Sequence, residues 1–255
     1  EEVGMEENFF EVGGHSLLAT QVISRVREAF GVELPIQAIF DEPTIRGLSQ
    51  RVEALRRQGE GIKVPALVKA SREEGLPLSF AQERLWCLDQ LEPGNTAYNV
   101  PNVIWVKGEL DARALERALN EIRRRHEVLR TVFEEQEGKA VQVVQEYEER
   151  ALPIIDLIEL EGAKREEEAR QLIQEETGRG FDLRRGPVVR GKLVRLNEEE
   201  HVMVYTKHHI VSDEWSNGIM SREIGELYRA YSAGKESALP ELAIQYGDYA
   251  AWQRD

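Results

Sequence analysis

The residues with the clearest potential for chemistry lie in the stretch HHIVSDEWS, residues 208–216. Two histidines, His208 and His209, stand side by side, and Asp213 follows the second one at i+4. Neighbouring side chains of a strand point to opposite faces, so we expect one histidine to reach a site while the other packs into the domain. Three interpretations compete: a metal site, a satisfied polar pair at a strand end, or a histidine acting on an acyl group with an acid that fixes its surroundings. The metal interpretation is weakest, because adjacent histidines rarely bind one metal together.

A second candidate is Ser16, in the stretch FFEVGGHSLL. Gly13 and Gly14 allow a tight backbone ahead of it, and the apolar pattern that follows predicts a helix beginning at this serine. An ordinary N-cap serine explains the pattern. The alternative is a hydroxyl that carries a phosphodiester, since a helix N-terminus favours an anion.

The elements that must position these residues fall into three parts. Residues 1–57 contain short amphipathic patterns that predict a small all-α bundle. Residues 58–76 mix glycine, proline and charge without a period, and we predict a linker. Residues 77–255 alternate helix and strand patterns and predict an α/β domain with a helix-covered sheet, including a hairpin that ends at the histidines. Runs of like charge, such as the arginines at 123–125, are interpreted as solvated helix faces.

Composition narrows the classes of function. The chain has 255 residues, a net charge of −14, one cysteine and no long apolar run. A strongly acidic chain repels phosphate backbones, and a span needs roughly 18 to 20 apolar residues, so we expect neither nucleic-acid nor membrane binding. The acidic start lacks the basic region of a signal peptide, and the single cysteine suits a reducing compartment, so we expect a cytoplasmic protein.

The segment ENFFEVGGHSLLATQVISRVREAFGVELP, followed by IFDEPTIRGLS, closely resembles the peptidyl-carrier domains of nonribosomal peptide synthetases. The resemblance covers nearly all of residues 2–55, although the first of the usual four helices is missing. It implies that Ser16 carries 4′-phosphopantetheine, attached by a phosphopantetheinyl transferase, whose thiol holds an aminoacyl or peptidyl thioester. His15 resembles carriers that feed a condensation domain directly.

Four further segments resemble, in order, the condensation domains of the same synthetases: SFAQERLWCL, RHEVLRTVF, HHIVSDEWS and IQYGDYAAWQR. The implied fold is multi-domain, with the all-α carrier followed by an α/β lobe like that of chloramphenicol acetyltransferase. Residues 77–255 match only its N-terminal lobe, so we expect the isolated chain to be a poor catalyst. The implied role of His209 is catalytic, that of His208 is largely structural, and Asp213 is the motif acid that holds the site's shape through an arginine.

The reaction implied by this resemblance is peptide-bond formation between two carrier-bound thioesters. Its implied partners are an upstream adenylation domain and downstream carrier and adenylation domains, in secondary metabolism of the antibiotic or siderophore kind. The runner-up is a carrier followed by a non-catalytic condensation-like scaffold that recruits partners. A stand-alone acyltransferase using the HxxxD core is a third possibility, which the carrier segment argues against.

Glu214 departs from the condensation motif, which usually has glycine at this position. Glycine would permit a positive φ or leave open space beside the histidine. Glu214 is either a tolerated surface variation or a modulator that narrows the acceptor's approach or acts on His209 through its charge.

Overall fold

The structure, a computed structural model, describes residues 4–14, 16–32, 34–58 and 66–254. The chain divides into two compact units, Glu1–Ala66 and Leu67–Asp255. Residues 59–65 of the predicted linker lie outside the described residues, whereas Ala70 and Arg72 belong to the second unit and bond to Asp248 there. Across the described part of the chain, no helix combines the length and apolar character needed to cross a membrane.

The first unit is helical, as predicted. Its helices are α1 (Ser16–Phe30), α2 (Gln37–Asp41) and α3 (Ile45–Gln58). Gly31 follows α1 with a φ of +65°, the left-handed conformation that ends many helices. The helices enclose one small apolar core, whose buried members are Val32, Leu34, Ala38 and Val52.

The loop before α1 has a fixed shape that requires its two glycines. Gly13 has a φ of +96°. A Cβ on Gly14 would lie 2.4 Å from the carbonyl oxygen of Phe9, so no side chain fits there. The loop is also anchored by aromatic contacts, because the ring of Phe10 stacks on that of Phe40 in α2 with centroids 5.1 Å apart. The backbone is thereby held where α1 begins.

The described strands of the second unit form two sheets. They are β1 (Leu76–Pro77), β2 (Asn99–Lys107), β3 (Thr131–Gln136), β4 (Lys139–Val144), β5 (Ile154–Asp156), β6 (Val189–Arg195) and β7 (Glu200–His208). One sheet has the order β1-β4-β3 and the other the order β2-β7-β6-β5. Neighbours are antiparallel except β5 and β6, which are parallel. The predicted hairpin is therefore β6 and β7, with β7 in the middle of the larger sheet.

Helices cover both faces of the larger sheet. The helices of the second unit are α4 (Phe80–Leu91), α5 (Ala112–Arg125), α6 (Gly162–Thr177), α7 (Glu214–Ser232) and α8 (Tyr246–Trp252), of which α8 contacts β1 of the smaller sheet. Met203 and Tyr205 of β7 join the main core with residues of α4, α5 and α7. Val202 and Val204, which alternate with them, form a second core with α6. The predicted helix-covered α/β domain is confirmed, and β7 carries the histidines out of its centre.

The interpretation of the arginine run as a solvated face is wrong for two of its three members. Arg123 and Arg125 are only 8% and 5% exposed. For Arg125 the cause is α7, which packs on α5 and brings the buried carboxylate of Glu223 to 3.2 Å from Arg125 Nε. Arg125 also donates a hydrogen bond to the carbonyl of Pro240.

Candidate active site

The two histidines at the end of β7 have different surroundings. His208 is 2% exposed, and its ring lies between Tyr98 and Phe181, with centroids 6.2 and 6.0 Å away. Its Nδ1 accepts a hydrogen bond from the backbone N–H of Ile210 at 3.1 Å, which turns the chain out of the strand. Burial, and next the neighbouring His209, lower the pKa of His208 to about 4. His208 is thus a neutral residue that shapes the backbone.

His209 begins a 3₁₀ turn, His209–Val211, and its side chain is exposed. Its Nδ1 lies 2.6 Å from the carbonyl oxygen of Ser212. A carbonyl can only accept, so Nδ1 carries the proton, and in the neutral ring Nε2 offers a lone pair. This contact fixes both the orientation and the tautomer of the ring. Among the described residues, no group of three or more His, Cys, Asp or Glu side chains is placed to hold a metal ion.

Asp213 organises the start of α7. Its Oδ1 accepts from the backbone N–H of Ser216 at 2.8 Å, and Ser216 Oγ lies 2.8 Å from the Asp213 N–H, which together form a capping box. Asp213 therefore shapes the start of α7 through a helix cap, and the arginine partner that the resemblance implies for it stays a prediction.

Glu214 is the first residue of α7 and is exposed. It has ordinary helical backbone, since Glu137 is the one non-glycine residue with positive φ in the described part of the chain. The position therefore does not require glycine, and an acidic residue in the first turn is favoured by the helix dipole.

A buried lysine lies beneath the first turns of α7. Lys207 is 2% exposed, and its Nζ donates to Asn217 Oδ1 and lies 3.7 Å from Met220 Sδ. Burial lowers its pKa to about 8, although the charge of Glu214, and then that of Asp213, favour the ammonium form. The electrostatic partner that the structure gives Glu214 is therefore Lys207.

The same lysine is linked to the turn that holds His209. Ser212 Oγ lies 3.2 Å from Asn217 Oδ1, the oxygen that also accepts from Lys207. Ser212 in turn provides the carbonyl that binds His209 Nδ1. A continuous polar network thus connects the buried ammonium, α7 and the exposed histidine.

The exposed histidine opens onto a cavity of about 610 Å³. All four segments that the sequence analysis singled out contribute to its lining: Ala81, Gln82, Arg84, Leu85, Leu88, His126, Val128, Leu129, His209, Ile210, Val211, Ser212, Asp213, Ser216 and Tyr246. Tyr98, Ile219 and Met220, which lie outside those segments, complete it. Glu214 is absent from this lining. The surroundings of His209 are mostly apolar, with a few convergent polar groups, as is typical of binding sites for organic substrates.

Family comparisons agree with this architecture. The family model described as the condensation domain matches residues 72–255, and the one described as the phosphopantetheine attachment site matches residues 1–52. The chain belongs to the condensation-domain family. Its carrier unit is the kind of segment to which phosphopantetheine is attached.

Curated relatives are far longer than this chain. One of the linear gramicidin synthase proteins of Brevibacillus parabrevis is 46% identical over 255 residues, which is the whole of this chain and 3% of that protein. A dimodular nonribosomal peptide synthase of Bacillus subtilis strain 168 is 40% identical over 253 residues, 99% of this chain and 10% of that protein. The chain therefore spans a small part of each of these relatives.

Solved structures of other proteins share this fold. The X-domain from teicoplanin biosynthesis, solved as a complex with OxyB, has a TM-score of 0.67 and 30% identity, covering 76% of this chain and 41% of that one. The starter condensation domain of rhizomide synthetase RzmA has a TM-score of 0.61 and 21% identity, covering 66% and 40%. At 21% identity, the similarity to the rhizomide synthetase domain shows a shared fold only.

Several residues of the condensation unit support the cavity but had no role assigned from sequence. His126 Nε2 lies 2.6 Å from Glu223 Oε2, so the second segment is tied to α7. Ser79, which caps α4, lies 3.0 Å from the hydroxyl of Tyr246 in α8. One feature of the sequence could have indicated a role for Lys207. It is a basic residue within an otherwise apolar strand, two positions before His209.

The carrier unit places Ser16 as the first residue of α1. The predicted N-cap bond of Ser16, like the position of His15, lies outside what the structure describes. The 15-residue helix and the fixed glycine loop ahead of it agree with the prediction that a helix begins at this serine.

Proposed function

We propose that this chain is a carrier and condensation region of a nonribosomal peptide synthetase that forms peptide bonds. The amine of an acceptor aminoacyl thioester attacks the carbonyl of a donor thioester, which forms the C–N bond and releases the donor's thiol. The observation that carries this proposal is the convergence of four motif segments on one cavity, which His209 lines with its Nδ1 bound to the carbonyl of Ser212. The domain limits we propose are a carrier at 1–57, a linker at 58–76 and the N-terminal lobe of the condensation domain at 77–255. The last part of this linker, from Ala70 onward, packs on the condensation unit.

His209 is the proposed catalytic residue. A free α-amine has a pKa of about 8, so a useful fraction of it is already neutral near pH 7 and no strong base is required. Nε2 of His209 accepts a hydrogen bond from this amine, orients its lone pair and receives its proton as the bond forms. The bond from Nδ1 to Ser212 keeps the ring in the required tautomer throughout.

His208 and Asp213 are positioning residues in this proposal. The neutral ring of His208 ends β7 and turns the following residue towards the cavity. Asp213 caps α7, whose first turn forms one wall of the cavity. Loss of either residue is expected to displace His209, and small displacements in an active site reduce rates strongly.

The carrier unit fits a covalently attached phosphodiester at Ser16. The helix N-terminus favours the anion, and Gly13 and Gly14 allow the tight backbone of the loop that precedes it. Phosphopantetheine on Ser16 would supply a thiol that holds the aminoacyl or peptidyl group. A phosphopantetheinyl transferase, the neighbouring adenylation domains and a downstream carrier are the partners that this function requires.

Mass spectrometry tests the carrier assignment directly. Incubation of a folded, extended carrier with a phosphopantetheinyl transferase and coenzyme A is expected to add one phosphopantetheine. Ser16→Ala should abolish the gain, and Ser49→Ala, on the exposed surface of α3, should retain it. An unmodified Ser16 in the folded protein would contradict the assignment.

Product formation by the intact synthetase tests the condensation assignment. His209→Ala is expected to reduce peptide formation by about 10² to 10⁴, the range for loss of a general base. The matched control is His201→Ala, at the opposite end of β7. Undiminished product from His209→Ala would instead favour the recruitment scaffold.

We propose that Glu214 modulates the site through Lys207 and not by narrowing the cavity. Glu214 is exposed and outside the cavity lining, while its charge favours the ammonium form of Lys207. Glu214→Gln, which keeps the size, and Glu214→Gly should therefore change the condensation rate alike. If only the glycine variant changes the rate or the substrate range, Glu214 acts through the size of its side chain and not through its charge. If neither does, Glu214 is a tolerated variation.

A further inference from the structure

Two cavities of the second unit lie apart from the one at His209. One, of about 330 Å³, lies between α5, the segment before β5, and strands β6 and β7. The other, of about 400 Å³, lies beside the start of β3. They share Arg123, Arg150 and Pro187 as common lining residues. Neither cavity has a part in the proposed condensation reaction.

Arg123 is a buried cation without a carboxylate partner in the described part of the chain. It is 8% exposed, and its one hydrogen bond there runs from Nη1 to Asn120 Oδ1 at 3.3 Å. Burial, and next the charge of Arg150, lower the pKa of its guanidinium. Arg125 and Arg190, by contrast, have carboxylates at 3.2 and 2.7 Å. Buried charges in proteins are normally paired with a group of opposite charge. Arg123 lacks such an anionic partner among the described residues.

Two further buried donors that line these cavities also lack an acceptor in the part of the chain that the structure describes. The hydroxyl of Tyr205 is buried and has no hydrogen-bond partner among the described residues, and Tyr205 lines the smaller cavity. Tyr205 is 6% exposed, and burial raises the pKa of its phenol, so the hydroxyl remains a donor. Nε of Arg130, which lines the larger cavity, is also buried and unpartnered within the described ranges. Buried polar groups are usually satisfied, so unsatisfied donors of this kind indicate an absent acceptor.

The carboxylates beside the smaller cavity are already engaged. Glu176 pairs with Arg190 at 2.7 Å and Lys192 at 3.5 Å, and Glu116 accepts from the backbone N–H of Leu152 at 2.7 Å. Neither Arg123 nor Arg150 has a carboxylate within salt-bridge distance among the described residues, although the net charge of the chain is −14.

We propose that the smaller cavity binds a phosphate group between Arg123 and Arg150, with the hydroxyl of Tyr205 as a third donor. Phosphate suits this site because it carries about −1.5 to −2 charges near pH 7 and several acceptor oxygens, which guanidinium groups bind in a bidentate manner. Asn120 holds the frame, since its side chain bonds to Arg123 and to both backbone groups of Arg150. The phosphate is that of a free inorganic ion or of a small monoester.

Calorimetric titration of the full chain tests this site. Inorganic phosphate and glycerol 2-phosphate are titrated separately at constant ionic strength, with sodium chloride as the reference salt. We expect saturable binding of at least one of them, weakened tenfold or more by Arg123→Gln and by Arg150→Gln, and several-fold by Tyr205→Phe. Arg170→Gln makes the same charge change on the exposed face of α6 and should leave affinity unaltered.

The set of variants also distinguishes loss of phosphate binding from loss of folding. If circular dichroism shows that Arg123→Gln is unfolded, Arg150→Gln decides the matter, because the side chain of Arg150 is exposed. Tighter binding of the monoester identifies a phosphorylated small molecule as the ligand, and tighter binding of the inorganic ion identifies free phosphate. Absence of saturable binding, or binding that neither arginine variant weakens, would overturn the proposal.

Discussion

Replacing Lys207 by methionine is expected to stabilise the second unit at neutral pH. Lys207 is 2% exposed, and its ammonium group is bound by one amide oxygen and a thioether sulfur, with no carboxylate in salt-bridge range among the described residues. Methionine preserves most of the stem and removes the charge. Asn217 Oδ1 keeps its contact with Ser212 Oγ at 3.2 Å, so the substitution leaves that acceptor satisfied.

The size of the effect follows from the pKa of Lys207. Its value of about 8 in the folded unit lies below the ordinary 10.5, so the unfolded chain holds this proton more tightly. The difference corresponds to at most about 3 kcal/mol, and we take about 2 kcal/mol after allowing for solvent screening and the nearby acidic residues. Between the two pKa values the unfolded state binds more protons, so this cost fades as pH rises from 8 to 10.5.

Tryptophan fluorescence during urea unfolding measures the effect in the correct unit, because all four tryptophans lie beyond residue 66. At pH 7, Lys207→Met should raise the free energy of unfolding by about 2 kcal/mol. At pH 9.5 the advantage should have shrunk by about 1 kcal/mol, since much of the native lysine is then neutral.

Lys107→Met, at an exposed end of β2, is the matched control and should show neither effect. A variant less stable than the native chain at pH 7 would refute the reasoning. So would a stability difference that stays constant from pH 7 to 9.5, because a desolvated ammonium group must lose its cost as it deprotonates.

Three other predictions concern stability. His208 has a pKa of about 4, against 6.5 in the unfolded chain. The free energy of unfolding should therefore fall by up to about 3 kcal/mol as pH drops from 6.5 to 4. In urea titrations at several pH values, His208→Gln should not show this loss of stability between pH 6.5 and 4. Glu223→Ala leaves Arg125 buried without its carboxylate and should cost about 3 to 5 kcal/mol, whereas Glu226→Ala on the same helix should cost little, both measured by fluorescence in urea. Gly14→Ala forces a Cβ against the Phe9 carbonyl at 2.4 Å; it should lower the melting temperature of the carrier unit, measured by circular dichroism, and an unchanged value would contradict the observed loop.

Much of the fold was predictable from local sequence. The helices of the carrier unit, the hairpin of β6 and β7, and the start of α1 at Ser16 all follow from apolar periodicity and turn residues. The different surroundings of His208 and His209 were also predictable, because adjacent positions at a strand end face different environments.

The failures have a common physical origin. The arginine run was interpreted as solvated because charged residues on a helix usually face water. The burial of Arg125 depends on Glu223, about a hundred residues later, which only the packing of α7 brings to α5. The helix cap formed by Asp213 was also not predicted, because it depends on where α7 begins.

The sequence by itself determined the order of units, the family and the residues of the histidine motif, because these depend on short segments read in order. Tertiary structure decided which groups act on one another: the carbonyl that sets the tautomer of His209, the buried Lys207 that faces the charge of Glu214, and the unpaired Arg123. The physical reason is that hydrogen bonding, desolvation and charge interaction depend on distances of a few ångströms between residues far apart in the chain, and only packing sets those distances.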